Sequence, residues 1–232
     1  MEHRVVSRAA RLDARSNLLA AEKAFTHARE ALARQRRELL WVQVDKPYRF
    51  EGPDGEESLA DLFAGRQQLV VYHFVFRPEA DAGCAHCSFW ADHFDGMGPH
   101  LNQREVSFVA ISRALPAKLE AFKRRTGWKF KWLSSGGSDF NFDYQVSFTP
   151  EALASGTVFY NYAAAPARPP DREGLSVFCR DGQGAVFHSY SCYARGIDML
   201  NGTYQMLDLV PKGRDEDPES PQSWVRYHDR YR

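Results

Sequence analysis

The sequence predicts an α/β protein, a partly parallel sheet covered by helices and preceded by one long helix. Three observations carry this. Strand-like and helix-like runs alternate from about residue 69 to residue 126. A Cys-x-x-Cys pair, Cys84-Ala85-His86-Cys87, falls between the most apolar run of the chain and a helical segment. No Pro or Gly occurs from Met1 to Asp45. The alternation implies parallel strands joined by right-handed crossovers.

The Pro- and Gly-free stretch predicts a helix from about residue 8 to residue 39. Leu12, Leu18, Leu19, Phe25, Leu32 and Leu39 recur at near-helical spacing, and Ser7 or Ser16 can cap its start. The apolar stripe is thin. It suits packing against the chain's own domain or against a second copy, a homodimer through this helix. Trp41–Val44 and Tyr48–Glu51 read as short strands of a hairpin, Gly52–Gly55 as a turn, and Ser58–Phe63 as a short helix.

The strongest strand is Leu69–Phe76, whose nearly continuous apolarity suits burial on both faces. The dithiol follows, with a helix from about Ser88. Val106–Ser112 is the next strand. Pro116–Thr126 is a helix, with Pro in its first turn and Gly127 at its end. Residues 134–173 are rich in Gly, Ser, Asn, Ala and Pro with interspersed aromatics. A structureless loop of that length is improbable, so a short helix at Pro150–Ala154 and aromatic anchoring are expected. Leu175–Arg180 and Ala185–Cys192 predict a hairpin with Arg180 opposite Ala185, which keeps Cys179 and Cys192 too far apart for a disulfide. Gly196–Leu209 reads as a helix and Pro211–Pro218 as a solvated charged stretch before a Trp/Arg/Tyr tail. The domain organisation expected is therefore 1–40, a helical extension; 41–210, the α/β domain; and 211–232, a tail.

The 232 residues are 44% hydrophobic, enough for a sizeable core, and Lys+Arg balances Asp+Glu at 30 each. That balance gives no general drive toward nucleic acid or anionic membrane. No run approaches the roughly 18 apolar residues of a membrane span. The N-terminus lacks the apolar region of a secretory signal, so a cytoplasmic location is expected. In a reducing compartment, a Cys-x-x-Cys pair among only four cysteines points to redox chemistry or metal rather than a structural staple.

Cysteines at i and i+3 entering a helix lie close enough to form a small disulfide ring. The first meets free N–H groups and the helix dipole, which favour its thiolate, the attacking species in thiol–disulfide exchange. Cys84 is thus the expected nucleophile and Cys87 the resolving thiol. A partly protonated His86 would stabilise the Cys84 thiolate and make the disulfide more oxidising; otherwise it is an exposed helix-start residue. The rival reading is zinc on Cys84, Cys87, His93 and His100, but Gly96, Gly98 and Pro99 interrupt that helix and the spacing is unlike common zinc modules. The bland reading leaves both cysteines as packing. His73, on a buried strand, reads as a core histidine. His188 and Tyr190 would share a hairpin face with Cys192, and Arg195–Asp198 reads as a structural ion pair. No dinucleotide fingerprint or phosphate loop appears, so no cofactor and no metal is expected.

The order of LVVYHFVF, GCAHCSFWADHFDG, VSFVAISRA, LEAFKRRTGW, SDFNFDY, GLSVFCRDGQGAVFHSYSCYARGIDMLNGTY and LDLVPKGRDE resembles a bacterial family of thioredoxin-like proteins. That family is a domain of unknown function regarded as dithiol–disulfide oxidoreductases. The resemblance covers nearly the whole chain. It implies a thioredoxin-like fold, a mixed central sheet with helices on both faces, related to the peroxiredoxin and alkyl-hydroperoxide-reductase branch. It also implies a thiol or disulfide substrate, protein or small molecule. Two departures matter. The proline that precedes the next strand in thioredoxins is missing before Leu175, where Arg172-Glu173-Gly174 stands. The peroxiredoxin Pro-x-x-x-Thr-x-x-Cys signature is missing before Cys84. Thiol–disulfide exchange through Cys84 and Cys87 is the function expected, with peroxide reduction, or a redox-sensing or zinc-binding module, as alternatives.

Overall fold

The structure, a computed structural model, describes residues 3–231. The chain divides into two units, Met1–Leu40 and Trp41–Arg232. The first is helix α1 (Arg8–Arg37), whose start Ser7 caps by accepting the Ala10 N–H at 3.3 Å. Arg34, Arg36 and Arg37 crowd its last turn, where the dipole favours cations. Its leucines and Phe25 are exposed.

The second unit runs β1 (Val42–Gln43), β2 (Arg49–Gly52), β3 (Gly55–Ser58), β4 (Gln68–His73), α2 (Ala85–Phe94), α3 (Gly98–Asn102), β5 (Val106–Ser112), α4 (Pro116–Thr126), β6 (Lys131–Ser134), α5 (Phe140–Asp143), α6 (Pro150–Ala154), β7 (Thr157–Tyr160), β8 (Ala163–Pro166), β9 (Gly174–Arg180), β10 (Val186–Tyr193) and α7 (Gly202–Leu207). Eight strands form one sheet in the order β1-β10-β9-β4-β5-β6-β2-β3, and β7 pairs with β8. β4, β5 and β6 are parallel; β9 and β10 run antiparallel to their neighbours. The β4-α2-β5-α4 crossovers followed by the β9-β10 hairpin give the thioredoxin-like arrangement that the resemblance implies, a mixed sheet flanked by helices.

β4 is buried on both faces, as its composition demands. Leu69 and Val71 join Phe50, Leu62, Ile111 and Leu133 on one side. Tyr72 and, just past the strand, Phe74 join α2 and Trp132 on the other. Three expectations shift. The hairpin forms between β2 and β3 around the Gly52–Gly55 turn, while β1 lies at the opposite edge on β10. The β9–β10 register is displaced by one residue at the turn, with Arg180 opposite Val186 and Cys179 opposite Phe187, and by two beyond a bulge, with Cys192 opposite Leu175. The bulge, between His188 and Tyr190, turns His188 to the Phe178 side and Tyr190 and Cys192 to the Val177 and Leu175 side, so they do not share a face. Gly196–Leu209 begins as a tight 3₁₀ turn and becomes α7 only after Asn201 caps it by accepting the Tyr204 N–H at 3.0 Å.

His73 is a core histidine, 1% exposed. Its Nε2 lies 2.8 Å from Ser176 Oγ, which lies 2.8 Å from Ser191 Oγ, itself 2.7 Å from His188 Nε2. The ring packs against Phe140 and Tyr144. Burial, aided by His188, holds its pKa down to about 3. The unfolded chain therefore binds the extra proton between about pH 6.5 and pH 3. Stability from this group is complete above that window and falls with pH by about 1.4 kcal/mol per unit inside it. Denaturation at stepped pH should show a shallower acid slope for His73→Gln than for the wild type; equal slopes would refute the assignment.

Candidate active site

Cys84 stands where the connection after β4 enters α2. Its N–H donates to Val75 O at 2.9 Å, and Lys118 Nζ pins the intervening loop by donating to the Pro78 and Ala80 carbonyls, each at 2.8 Å. Gly83 lets this loop close on the core, since a Cβ there would meet the Phe74 ring at 2.7 Å. Cys84 is the N-cap of α2, and its sulfur accepts the Cys87 N–H at 3.4 Å. The Ser88 N–H and hydroxyl both donate to Cys84 O, at 3.0 and 2.9 Å. Cys87, 2% exposed, lies one turn deeper and accepts the Val75 N–H at 3.5 Å. Tyr72 OH donates to the Cys87 carbonyl at 3.3 Å. All four cysteines are unbridged.

These surroundings push the two thiols apart. The hydrogen bond from the Cys87 thiol lowers the Cys84 pKa most, and this outweighs the desolvation that opposes it. His86 and the Cys87 N–H lower it further. Burial, reinforced by Cys84, raises Cys87 well above an ordinary thiol. His86 is exposed in the first turn of α2, and its pKa is raised, most by the neighbouring Cys84 and further by the Gln222 backbone.

Cys84, with the buried Cys87 behind it, lies at a cavity of about 430 Å³, within the range of small-molecule sites. Its far wall is the end of the 134–173 excursion, Pro169, Pro170, Asp171 and Glu173. The Arg168–Pro169 peptide is cis, and Glu173 occupies the place directly before β9. Burial raises the Glu173 pKa. Asp171, 7% exposed, takes Arg113 Nη1 on one oxygen at 3.3 Å, while its other oxygen has no partner.

Pro211–Pro218 is largely exposed, as expected, but the Trp/Arg/Tyr tail after it docks beside the site. Glu216 Oε1 accepts Tyr204 OH, Trp224 Nε1 and the Gln222 N–H at 2.7, 2.9 and 3.2 Å. Tyr227 OH donates to Gly83 O at 2.7 Å, beside the nucleophile position, and Arg125 grips Asp229 through two bonds. Sequence reasoning missed Glu173, Asp171, Gln222 and Tyr227. The first two lie in a stretch without periodicity, and only the density of aromatics after residue 222 hinted at docking.

The residues of the zinc reading are not brought together. His93 Nε2 is engaged by the Thr203 N–H and hydroxyl at 3.3 and 3.0 Å, and His100 lies on α3 beyond the Gly96–Gly98 break. No cluster of three or more His, Cys, Asp or Glu side chains arranged to hold a metal occurs among the described residues. Arg195 and Asp198 form their ion pair at 3.3 Å, and Asp198 also meets Arg214 at 3.4 Å.

The model of one bacterial family matches residues 1–231, the full run of elements just described. The chain belongs to the DUF899 family. That family is described as bacterial protein of unknown function. No curated protein matches this DUF899 chain. Among solved structures it is similar to a mutant of Xanthomonas campestris peroxiredoxin Q (12% identity, 72% of this chain and 98% of that one, TM-score 0.47). It is similar also to the peroxidoxin BcpB of Mycobacterium tuberculosis (16%, 72% and 97%, TM-score 0.42). A third is a candidate thiol–disulfide oxidoreductase from Bacteroides vulgatus (15%, 72% and 97%, TM-score 0.41).

The electrostatics of the dithiol can be read directly. Thiolate absorbance of the reduced protein should rise in a single low-pH step, in the roughly 3.5–7.5 range of activated cysteines rather than near 8.5. Cys84→Ser should abolish that step and His86→Ala should move it upward. A step that survives Cys84→Ser would assign the thiolate elsewhere.

Proposed function

We propose that this protein is a thiol–disulfide oxidoreductase with Cys84 as nucleophile, Cys87 as resolving thiol and His86 as the group that stabilises the thiolate. The observation that carries the reading is the opposite environment of two thiols one helical turn apart. Cys84 faces the cavity at a helix N-terminus and is held low, while Cys87 is buried behind it and held high.

The chemistry follows in two steps. The Cys84 thiolate attacks one sulfur of a bound disulfide, forming a mixed disulfide and expelling the first thiolate. Cys87 then attacks the Cys84 sulfur and expels the second thiolate, which takes up the proton Cys87 gives up. The substrate gains two electrons and leaves as one thiol and one thiolate, which solvent protonates, and the pair becomes the Cys84–Cys87 disulfide. A low-molecular-weight or protein dithiol must return it to the reduced form. Stabilising the Cys84 thiolate stabilises the reduced pair, so the disulfide is a stronger oxidant than one flanking an ordinary thiol.

With dithiothreitol as reductant and bis(2-hydroxyethyl) disulfide as a neutral substrate, the wild type should turn over. Cys84→Ser should fall to the uncatalysed rate, and Cys87→Ser should accumulate a mixed disulfide on Cys84 visible by mass. Full activity in Cys84→Ser would overturn the reading, and turnover of hydrogen peroxide far faster than of the disulfide would assign peroxide reduction instead. Equilibration with glutathione should place the potential nearer about −120 mV than about −270 mV. Metal content, measured alongside, should be unaffected by Cys87→Ser; stoichiometric zinc lost in that variant would favour the zinc module.

A further inference from the structure

Of the carboxylates lining the cavity, Glu173 has no counter-ion among the described residues. Arg77 pairs with Glu79 at 3.3 Å, and Arg195 pairs with Asp198 at 3.3 Å. Asp171 beside Glu173, 7% exposed, pairs with Arg113 through one oxygen at 3.3 Å, and its other oxygen has no hydrogen-bond partner. A carboxylate with unused acceptor capacity at the cavity wall favours a ligand that supplies positive charge and N–H groups.

Strand register fixes these carboxylates relative to the sulfurs. Gly174 pairs with His73 and Leu175 with Tyr72, so Glu173 continues β9 alongside Phe74 and Val75. Val75 is the residue that hydrogen-bonds both Cys84 N–H and Cys87 Sγ. Glu173, directly before β9, therefore lies beside the end of β4, whose Val75 anchors the turn that carries Cys84 and Cys87.

We propose that the cavity selects a small disulfide carrying a protonated amine, whose ammonium group lies toward Glu173 and Asp171 while its S–S bond meets Cys84. This rests on the thiol–disulfide reading above and names its substrate class. The reaction is unchanged: two electrons pass from the Cys84–Cys87 dithiol to the substrate, which leaves as two aminothiols.

The test compares two charged disulfides, cystamine and dithiodipropionate, with dithiothreitol as reductant, each rate divided by its rate without protein. Cystamine should be preferred about tenfold in kcat/KM, equivalent to about 1.4 kcal/mol. Glu173→Gln and Asp171→Asn should each shrink the preference at least about threefold, toward a ratio of one. The ratio is taken within one preparation, so partial misfolding of a variant does not move it. A ratio near one in the wild type, or one unchanged in both variants, overturns the proposal. A preference for dithiodipropionate overturns it and assigns the selectivity to Arg77 and Arg195.

A second readout does not depend on turnover. Aminoethyl methanethiosulfonate should label Cys84 faster than sulfonatoethyl methanethiosulfonate, by a similar factor after correction for their rates with free mercaptoethanol. If the neutral disulfide is not turned over but this labelling preference is found, the oxidoreductase reading fails and the cationic selectivity stands. If the neutral disulfide is turned over without any labelling preference, the selectivity fails and the oxidoreductase reading stands.

Discussion

Both cysteines hang from one residue. Val75, just beyond β4, accepts the Cys84 N–H on its carbonyl and donates its own N–H to the Cys87 sulfur. The Cys87 N–H in turn reaches the Cys84 sulfur. These three bonds lock the end of a buried strand to the first turn of a helix. They cost little, because the strand end and the helix start each leave backbone groups without regular partners. Everything chemical in the site depends on this clamp, since it decides which sulfur meets the cavity and which is sealed behind it.

The clamp works only because the sheet behind it does not move. β4 is paired on both sides, with β5 and β9, and buried on both faces. Gly174 sits so close to β10 that a Cβ would come within 2.6 Å of the Tyr193 ring. That approach keeps β9 tight against its neighbours and holds the residue before it at the cavity wall. The polar chain from His73 through Ser176 and Ser191 to His188 crosses three strands on hydroxyl bridges. Desolvation makes each of those links strong and makes any break in them expensive.

Much of this was legible in the chain. β5, α4 and α6 follow the residues expected of them, because their signals are local: a β-branched run, a proline at a first turn, a glycine at a helix end. The strand-to-helix placement of Cys84 and Cys87 was legible for the same reason. The β9–β10 register was not, since the turn holds one residue more than expected and a bulge between His188 and Tyr190 adds a second shift, neither marked by composition. β6 was hidden as well. Lys131–Ser134 is only four residues long and owes its state to parallel pairing with β5, a contact remote in sequence. The C-terminal segment read as solvated because its charges are dense. Glu216 is nonetheless spent on three donors, two of which are side chains brought there by the fold.

The division between what could and could not be read follows the division of labour proposed for the site. The thiols and His86 lie within four consecutive residues, so spacing alone exposes them. The groups that would choose a substrate do not. Glu173 and Asp171 end a long excursion without periodicity, Gln222 comes from the C-terminal segment, and Arg195 follows the last strand. Only the sheet brings them to one cavity. A nucleophile needs a helix terminus and a buried neighbour, and a short motif can encode both. Selectivity needs charges arriving from several directions around the reacting bond, which no contiguous stretch can supply. The end of the excursion, Pro169–Glu173, and Gln222 of the C-terminal segment thus form part of the cavity lining. Substitutions there should alter which disulfide is accepted, while those at Val75, Cys84 and Cys87 alter whether any is.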